Sequence, residues 1–258
     1  MKFFILNKKN NYSLSVKESL RKRLLDEGLQ EDEENPDYVI SVGGDGTLLR
    51  SLHKYENKLD TVIIVGIHTG KLGFLCDYLA SDEDEIVSAI VSCKHIVDEV
   101  SLLCLKSGEK MYYAMNEVRI ESPYKTMKSE IYINDKLLEK YHGNGLNFST
   151  SLGSSGYNHS LNGPLINPNM ETIIMSEVAG INHNAYRSLK SPLVLGEKDV
   201  IKVSGNFFNC IIGYDNLFTT IKSSDDMELI ISLSNKKVRL LNTKKRDYFD
   251  RLRSSFIV

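Results

Sequence analysis

No C-x-x-C pair joins the four cysteines, Cys76, Cys93, Cys104 and Cys210, which argues against a redox dithiol, a zinc site or a disulfide framework. They read as buried thiols in a reducing compartment. Long apolar runs are missing too: the stretch Phe3-Phe4-Ile5-Leu6 turns polar at Asn7, too short for a signal peptide or a membrane span, so a cytoplasmic protein without a membrane partner is expected. Positive charge is not in excess. Thirty-two Lys and Arg stand against 34 Asp and Glu, a net charge of -2, so there is no global field to hold a phosphate polymer and no nucleic-acid partner is expected. Repeats, low-complexity tracts and long linkers are absent. The 258 residues are enough to bury one large core or two smaller ones without a structural metal.

The order of elements points to two domains. Phe3 to Leu6 predicts a strand, and Ser15 with Glu18 predicts a capping box opening a helix that carries Val16, Leu20 and Leu24. After the acidic loop Glu31 to Asp37, the run Tyr38 to Val42 predicts a strand, followed by Gly43-Gly44-Asp45-Gly46-Thr47 and a helix through Lys54. The logic repeats with strand Val62 to Ile67, a turn at His68-Thr69-Gly70-Lys71, and a helix capped by Ser81 with Asp84. Alternating strands and helices predict a doubly wound parallel α/β domain over residues 1–97. From 98 to 240 short Val-, Ile- and Tyr-rich segments, such as 101–106, 112–121, 130–133, 200–204, 209–213 and 229–233, predict a β-rich, sandwich-like domain. The tail 241–258, with Tyr248, Phe249, Leu252 and Phe256 at helical spacing, is expected to return to the first domain.

The strongest local signal is the glycine turn around Asp45. Glycines admit a close ligand, and the helix start offers unpaired N–H groups suited to phosphate. A carboxylate there repels phosphate, so Asp45 reads either as a group that handles a proton or metal, or as an Asx or N-cap residue of a tight turn. The stretch Gly66 to Phe74 is not a Walker A loop, since three residues separate Gly66 from Gly70-Lys71 and Leu72 replaces the Ser or Thr. It reads as a second wall of the same crevice or as a connecting loop. Asn116-Glu117 reads as an inward polar pair or an edge position. The run Ser149 to Ser160 suits a wall that binds ribose and phosphate oxygens with Tyr157 over a base, or is a polar loop. Histidines 53, 68, 95, 142, 159 and 183 form no H-E-x-x-H motif or Cys/His cluster, so a metal site built by the protein is not expected. No G-x-S-x-G elbow occurs.

In order along nearly the whole chain, the turn Gly43 to Thr47, the stretch Gly66 to Phe74, Asn116-Glu117, Ser149 to Tyr157 with Asn158 and Gly163-Pro164, and Ser191-Pro192-Leu193-Val194 resemble the bacterial-type NAD kinases. The resemblance implies phosphoryl transfer from ATP, or polyphosphate in some members, to the 2′-hydroxyl of the adenosine ribose of NAD, with Mg²⁺ accompanying ATP, in a homodimer or homotetramer. It implies Asp45 as base, Gly44, Gly46 and Thr47 as the phosphate turn, and His68, Leu72 and Phe74 in the binding set. Asn116 and Glu117 would hold the nucleotide, with Ser155, Tyr157, Asn158 and Ser160 around its adenosine, together with His142 and Asn144. Ala179 and Ile181 would lie at a site completed by a neighbouring subunit. This chain has His142-Gly143-Asn144-Gly145 where members commonly show R-G-D-G, so a neutral Asn144 replaces a charged acceptor. It also has Ser151-Leu152 within the segment that usually reads T-P-T-G-S-T-A-Y. The alternatives are a weakly active or non-catalytic NAD- or NADP-binding protein, and a lipid or sugar kinase sharing the first motif.

Overall fold

The computed structural model describes residues 1–70, 73–182, 187–242 and 247–257. Its contacts divide the chain into two compact units, Met1–Val100 with Lys236–Val258, and Ser101–Asn235. In the first unit the strands are β1 (Lys2–Asn7), β2 (Gln30–Glu31), β3 (Tyr38–Gly43), β4 (Ile63–His68) and β5 (Tyr78–Leu79), with helices α1 (Asn11–Asp26), α2 (Asp45–Lys54) and α3 (Glu83–Ser92). The sheet is parallel in the order β2-β1-β3-β4, with β5 also parallel to β4. Every residue of β3 and β4 is buried, as a strand covered on both faces requires. On one face Val16, Leu20 and Leu24 of α1 and Ile86, Val87 and Ile90 of α3 pack with Phe3, Ile5, Ile40, Val42, Val65 and Ile67. Leu48 of α2 meets Gly66, whose position alternates with Val65 and Ile67, so α2 covers the other face. The unit is doubly wound.

Both capping expectations are corrected. Helix α1 begins four residues before Ser15: Asn10 is its N-cap and accepts the Ser13 N–H at 2.7 Å, while the Ser15 hydroxyl donates to the Tyr12 carbonyl. Asn caps at least as well as Ser and lies nearer the exit of β1. Ser81 falls in a short 3₁₀ turn, Ala80–Asp82, where Asp82 accepts the Leu79 N–H at 2.8 Å before α3 starts. Of the cysteines, Cys76 and Cys210 are buried and Cys104 is half-buried, but Cys93 is exposed; it ends α3 with φ at 54°, outside the core.

The second unit follows through β6 (Ile96–Ser107), β7 (Lys110–Ala114), β8 (Glu117–Glu121), β9 (Met127–Ile133), β10 (Lys136–Gly143), β11 (Gly145–Thr150), α4 (Tyr157–Ser160), β12 (Thr172–Val178), β13 (Leu193–Gly196), β14 (Ile201–Asn206), β15 (Ile211–Tyr214), β16 (Leu217–Thr220) and β17 (Asp226–Asn242). One antiparallel sheet runs β10-β9-β14-β17 and another runs β13-β12-β11-β8-β15-β16. Val118, Ile120, Leu146 and Phe148 of the second share one core with Ile131, Ile201, Val203 and Leu229 of the first. That is a sandwich. The segment expected as one strand over 112–121 is broken at Met115-Asn116, because Asp215 accepts both N–H groups, at 3.0 and 2.7 Å. Donors taken by a carboxylate are lost to the ladder, so β7 ends and β8 begins in a different sheet.

The last residues of β17 return to the first unit, where Arg239 and Leu240 pair in parallel with Ile63 and Ile64. Beyond them α5 (Tyr248–Leu252) places Arg251 on the Phe74 carbonyl and Asp77, and the Phe256 ring lies 5.6 Å from that of Phe74.

Gly66 marks where helix and sheet approach most closely, since a Cβ there would lie 2.7 Å from Leu48 Cδ1 and 3.0 Å from the Cys76 Cα. Gly66→Ala is expected to lower stability by about 1–3 kcal/mol through overpacking. Urea unfolding of the full chain checks this, and an unchanged midpoint would contradict the packing described.

Candidate active site

The carboxyl ends of β1, β3 and β4 open into a cavity of about 690 Å³ lined by Lys8, Gly44, Asp45, Arg50, His68 and Thr69, among others. Open parallel sheets place ligands at such strand ends. The register Gly43↔His68 sets the two glycine turns side by side, and Thr69 N–H donates to the Gly43 carbonyl at 2.8 Å. Gly44 is the N-cap of α2 in extended conformation, and its carbonyl accepts from Thr47 and Leu48. Gly46 is exposed and open to the cavity, whereas Thr47 is buried. The positive end of the α2 dipole therefore faces the cavity.

Asp45 is the first residue of α2, not its cap, and its carboxylate turns across to the second glycine turn. Oδ2 accepts the Phe74 N–H at 2.8 Å, and Oδ1 accepts those of Leu75 at 3.1 Å and Cys76 at 3.3 Å. Gly73 must lack a side chain because a Cβ there would overlap that carboxylate. Burial pushes the Cys76 thiol well above its ordinary range, with Asp45 adding to the effect. Burial also pulls the Arg251 guanidinium down, an effect opposed by Asp45 and Cys76. His68 is buried, and its Nδ1 accepts the Gly70 N–H at 3.0 Å, which puts the neutral ring's proton on Nε2, the atom nearest Gly44. Phe74 contributes its N–H to Asp45 and its ring to Phe256. Leu72 lies outside the described residues.

The remaining candidates belong to the second unit and fall into two groups. At one end of β8 and β11, Glu117 lies opposite Ser149. Glu117 is buried, and desolvation first, then the neighbouring Asp215, pushes its carboxyl up to about 7. Asn116 is half-buried beside it, and its carbonyl accepts the Thr150 N–H. The 3₁₀ turn Leu152–Ser155 and α4 follow, with Ser155 half-buried and Ser160 exposed. Tyr157 is half-buried with the Arg119 guanidinium 5.1 Å from its ring centre. Asn158 is completely enclosed; its amide donates to the Ser154 and Pro164 carbonyls, both at 3.0 Å, and its oxygen accepts from Ser176. It holds the turn in place and has no exposed face.

His142, Asn144, Ala179 and Ile181 gather at the other end of β11, four residues of strand or roughly 13 Å away. His142 Nε2 bonds the Thr126 hydroxyl at 2.8 Å, and the His142 carbonyl accepts the Ile181 N–H at 2.7 Å. Asn144 N–H donates to the Val178 carbonyl at 3.0 Å, leaving its side chain exposed. Ala179 is exposed with φ at 48°. Sequence reasoning passed over Lys8, Lys9, Arg50, Arg119 and Asp215. Asp215 sits at positive φ between β15 and β16, where Tyr-Asp-Asn reads as an ordinary hairpin turn.

Residues 5–96 match the ATP-NAD kinase N-terminal domain family and residues 115–243 match the ATP-NAD kinase C-terminal domain family. The chain is 38% identical to NAD kinase 1 of Bacillus anthracis over 265 aligned positions, covering all of this chain and 99% of that protein. It is 35% identical to the NAD kinase of Leuconostoc citreum (strain KM20), covering all of this chain and 98% of that one. Among solved structures, yeast NADH kinase complexed with NADH superposes with a TM-score of 0.84 at 16% identity, over 98% of this chain and 86% of that one. An NAD kinase from Archaeoglobus fulgidus in complex with ATP gives 0.79 at 24% identity, over 98% and 99%. At these identities the two structures show the shared fold.

Burial of Glu117 gives stability a pH dependence of definite sign. Its carboxyl lies near 7 in the folded chain against an ordinary 4.5, so the folded state keeps a proton that the unfolded state releases across that window. Stability therefore falls as pH rises through the window and levels off above it. Glu117→Gln removes the titration, and thermal melts are expected to show a smaller loss between about pH 5 and 7.5 in the variant; identical losses would contradict the burial.

Proposed function

The chain belongs to the ATP-NAD kinase family, and on that premise we propose that it transfers the γ-phosphoryl group of ATP to the 2′-hydroxyl of the adenosine ribose of NAD, forming NADP. The observation that carries this reading is Asp45, a carboxylate set in a glycine-walled cavity at the ends of parallel strands and fixed by three backbone donors. A carboxylate offers roughly four lone-pair positions. Oδ1 accepts two N–H groups and Oδ2 one, and in this reading the carboxylate takes the hydroxyl proton. The hydroxyl oxygen then attacks the γ-phosphorus in line and ADP departs, with catalysis resting on position and charge neutralisation.

Magnesium belongs to the donor in this reading and enters as the MgATP complex, where it shields the phosphate charge. Asp45, the carboxylate beside the phosphate turn, is largely occupied by backbone donors. Residues 1–97 with 241–258 are proposed to handle phosphate, and residues 98–240 to hold NAD through Asn116, Glu117, Ser155, Tyr157 and Ser160. The opposite group, His142, Asn144, Ala179 and Ile181, is proposed to act with a second copy in a cytoplasmic homodimer or homotetramer. Its exposed Asn144 and Ala179 support that assignment.

Incubating the chain with ATP, Mg²⁺ and NAD is expected to yield NADP, with inorganic polyphosphate run beside ATP as an alternative donor. Asp45→Asn is expected to lower kcat by about 10²- to 10⁴-fold, the usual range for removing a general base, while equilibrium dialysis still detects NAD binding. Loss of NAD binding together with turnover would reassign Asp45 to anchoring the loop.

A further inference from the structure

The cavity beside Asp45 carries a segregation of charge that the motif residues do not explain. Three cationic side chains border it: Lys8 and Lys9 where β1 ends, and Arg50 from the second turn of α2. All three are exposed. Several other cations of the same unit are matched by carboxylates, Lys2 by Asp32, Arg21 by Glu31, Arg23 by Glu83 and Asp84, Lys54 by Glu33, and Arg251 by Asp77. Among the described residues, Lys8, Lys9 and Arg50 face no carboxylate partner, and the one carboxylate lining the cavity, Asp45, is turned onto backbone N–H groups.

Two helices also begin here. The 10-residue α2 starts at the glycine turn, and the 16-residue α1 starts at Asn10, tied to the cavity by the 2.7 Å contact between the Ser13 and Thr69 hydroxyls. Lys8 through its backbone and Arg50 through its side chain are tied to the frame. Lys8 N–H donates to the Val42 carbonyl at 2.8 Å and Arg50 donates to the Asn7 carbonyl at 3.1 Å, so both are held at the rim. One guanidinium bond leaves the other N–H groups of Arg50 available.

We propose that Lys8, Lys9 and Arg50 form the cradle for the triphosphate chain of the phosphoryl donor, a role that rests on the kinase reading above. Two helix starts and three cations suit a polyanion of three or four charges better than the two charges of a dinucleotide's pyrophosphate. The lysines act as point charges along the chain, and Arg50 supplies a directed pair of N–H donors.

The test separates this role from the reading beneath it. Initial rates of NADP formation are measured for the double variant Lys8→Ala/Lys9→Ala and for Arg50→Ala, with Lys22→Ala, an exposed charge on α1 outside the cavity, as control. KM for ATP is expected to rise about tenfold or more per lost cation, the size of one charge-assisted hydrogen bond to phosphate, with KM for NAD unchanged. Titration calorimetry with inorganic tripolyphosphate needs no turnover and is expected to show binding to the native chain, weakened by salt and lost in the double variant. A rise in KM for NAD in place of ATP, or tripolyphosphate binding the double variant as tightly as the native chain, would overturn the cradle. Absence of NADP from the native chain would sink the kinase reading, while the tripolyphosphate titration would still decide the cradle.

Discussion

Three consecutive backbone N–H groups converge on one carboxylate, and the arrangement of the first unit follows from that contact. Asp45 is placed by the start of α2 and its acceptors are met by Phe74, Leu75 and Cys76, so two loops far apart in sequence are fixed against each other across adjacent strand ends. The contact tolerates no side chain at Gly73. It is backed by Arg251, which holds the Phe74 carbonyl and Asp77 from the side of the tail. Removing the tail would therefore free the loop that aims the carboxylate, even though no described tail residue lines the cavity.

Asp215 does comparable work in the second unit. It accepts the N–H groups of Met115 and Asn116 and its own N–H donates to the Glu117 carbonyl, so one aspartate ends β7, starts β8 and sets the orientation of Glu117. In both units a carboxylate at a chain reversal satisfies successive backbone donors that the sheet cannot reach, the arrangement expected where buried N–H groups must find partners. The difference is exposure. Asp215 is 6% accessible and serves the backbone, whereas Asp45 borders an open cavity.

The parallel half was largely legible because its signals are local. Apolar runs such as Tyr38 to Val42 and a glycine turn before a helix follow from short-range pattern alone. The motifs around Asp45, Gly66 to Phe74 and Asn116-Glu117 could likewise be found by eye. What stayed hidden depends on distance in sequence. That Asp45 bonds residues about 30 positions later, that Asp215 splits an apparently continuous strand 100 positions earlier, and that Asn158 is enclosed by Ser154, Pro164 and Ser176 are tertiary facts with no local pattern. Strands β10 to β13 were missed for a related reason. In β10 and β11 charged and small residues, as in Lys136–Gly143, obscure the alternation, and pairing partners decide their state. Lys8, Lys9 and Arg50 look like any other surface cations until the fold shows that acidic partners lie elsewhere.

Charge is distributed in opposite ways at the two groups of candidate residues. Around Asp45 the cavity keeps cations exposed and leaves them unmatched by carboxylates, which favours a ligand that brings several negative charges. Around Glu117, burial and then Asp215 push the carboxyl up to about 7, and the nearby hydroxyls of Ser149 and Thr150 are neutral. A carboxyl poised near neutrality can donate its proton to an acceptor or, once ionised, accept from a hydroxyl. That versatility suits a ribose, whose hydroxyls both donate and accept, and it suits a phosphate chain poorly. In the proposed function the two groups thus divide by solvation, the exposed cations taking the charged donor and the buried carboxyl the neutral sugar.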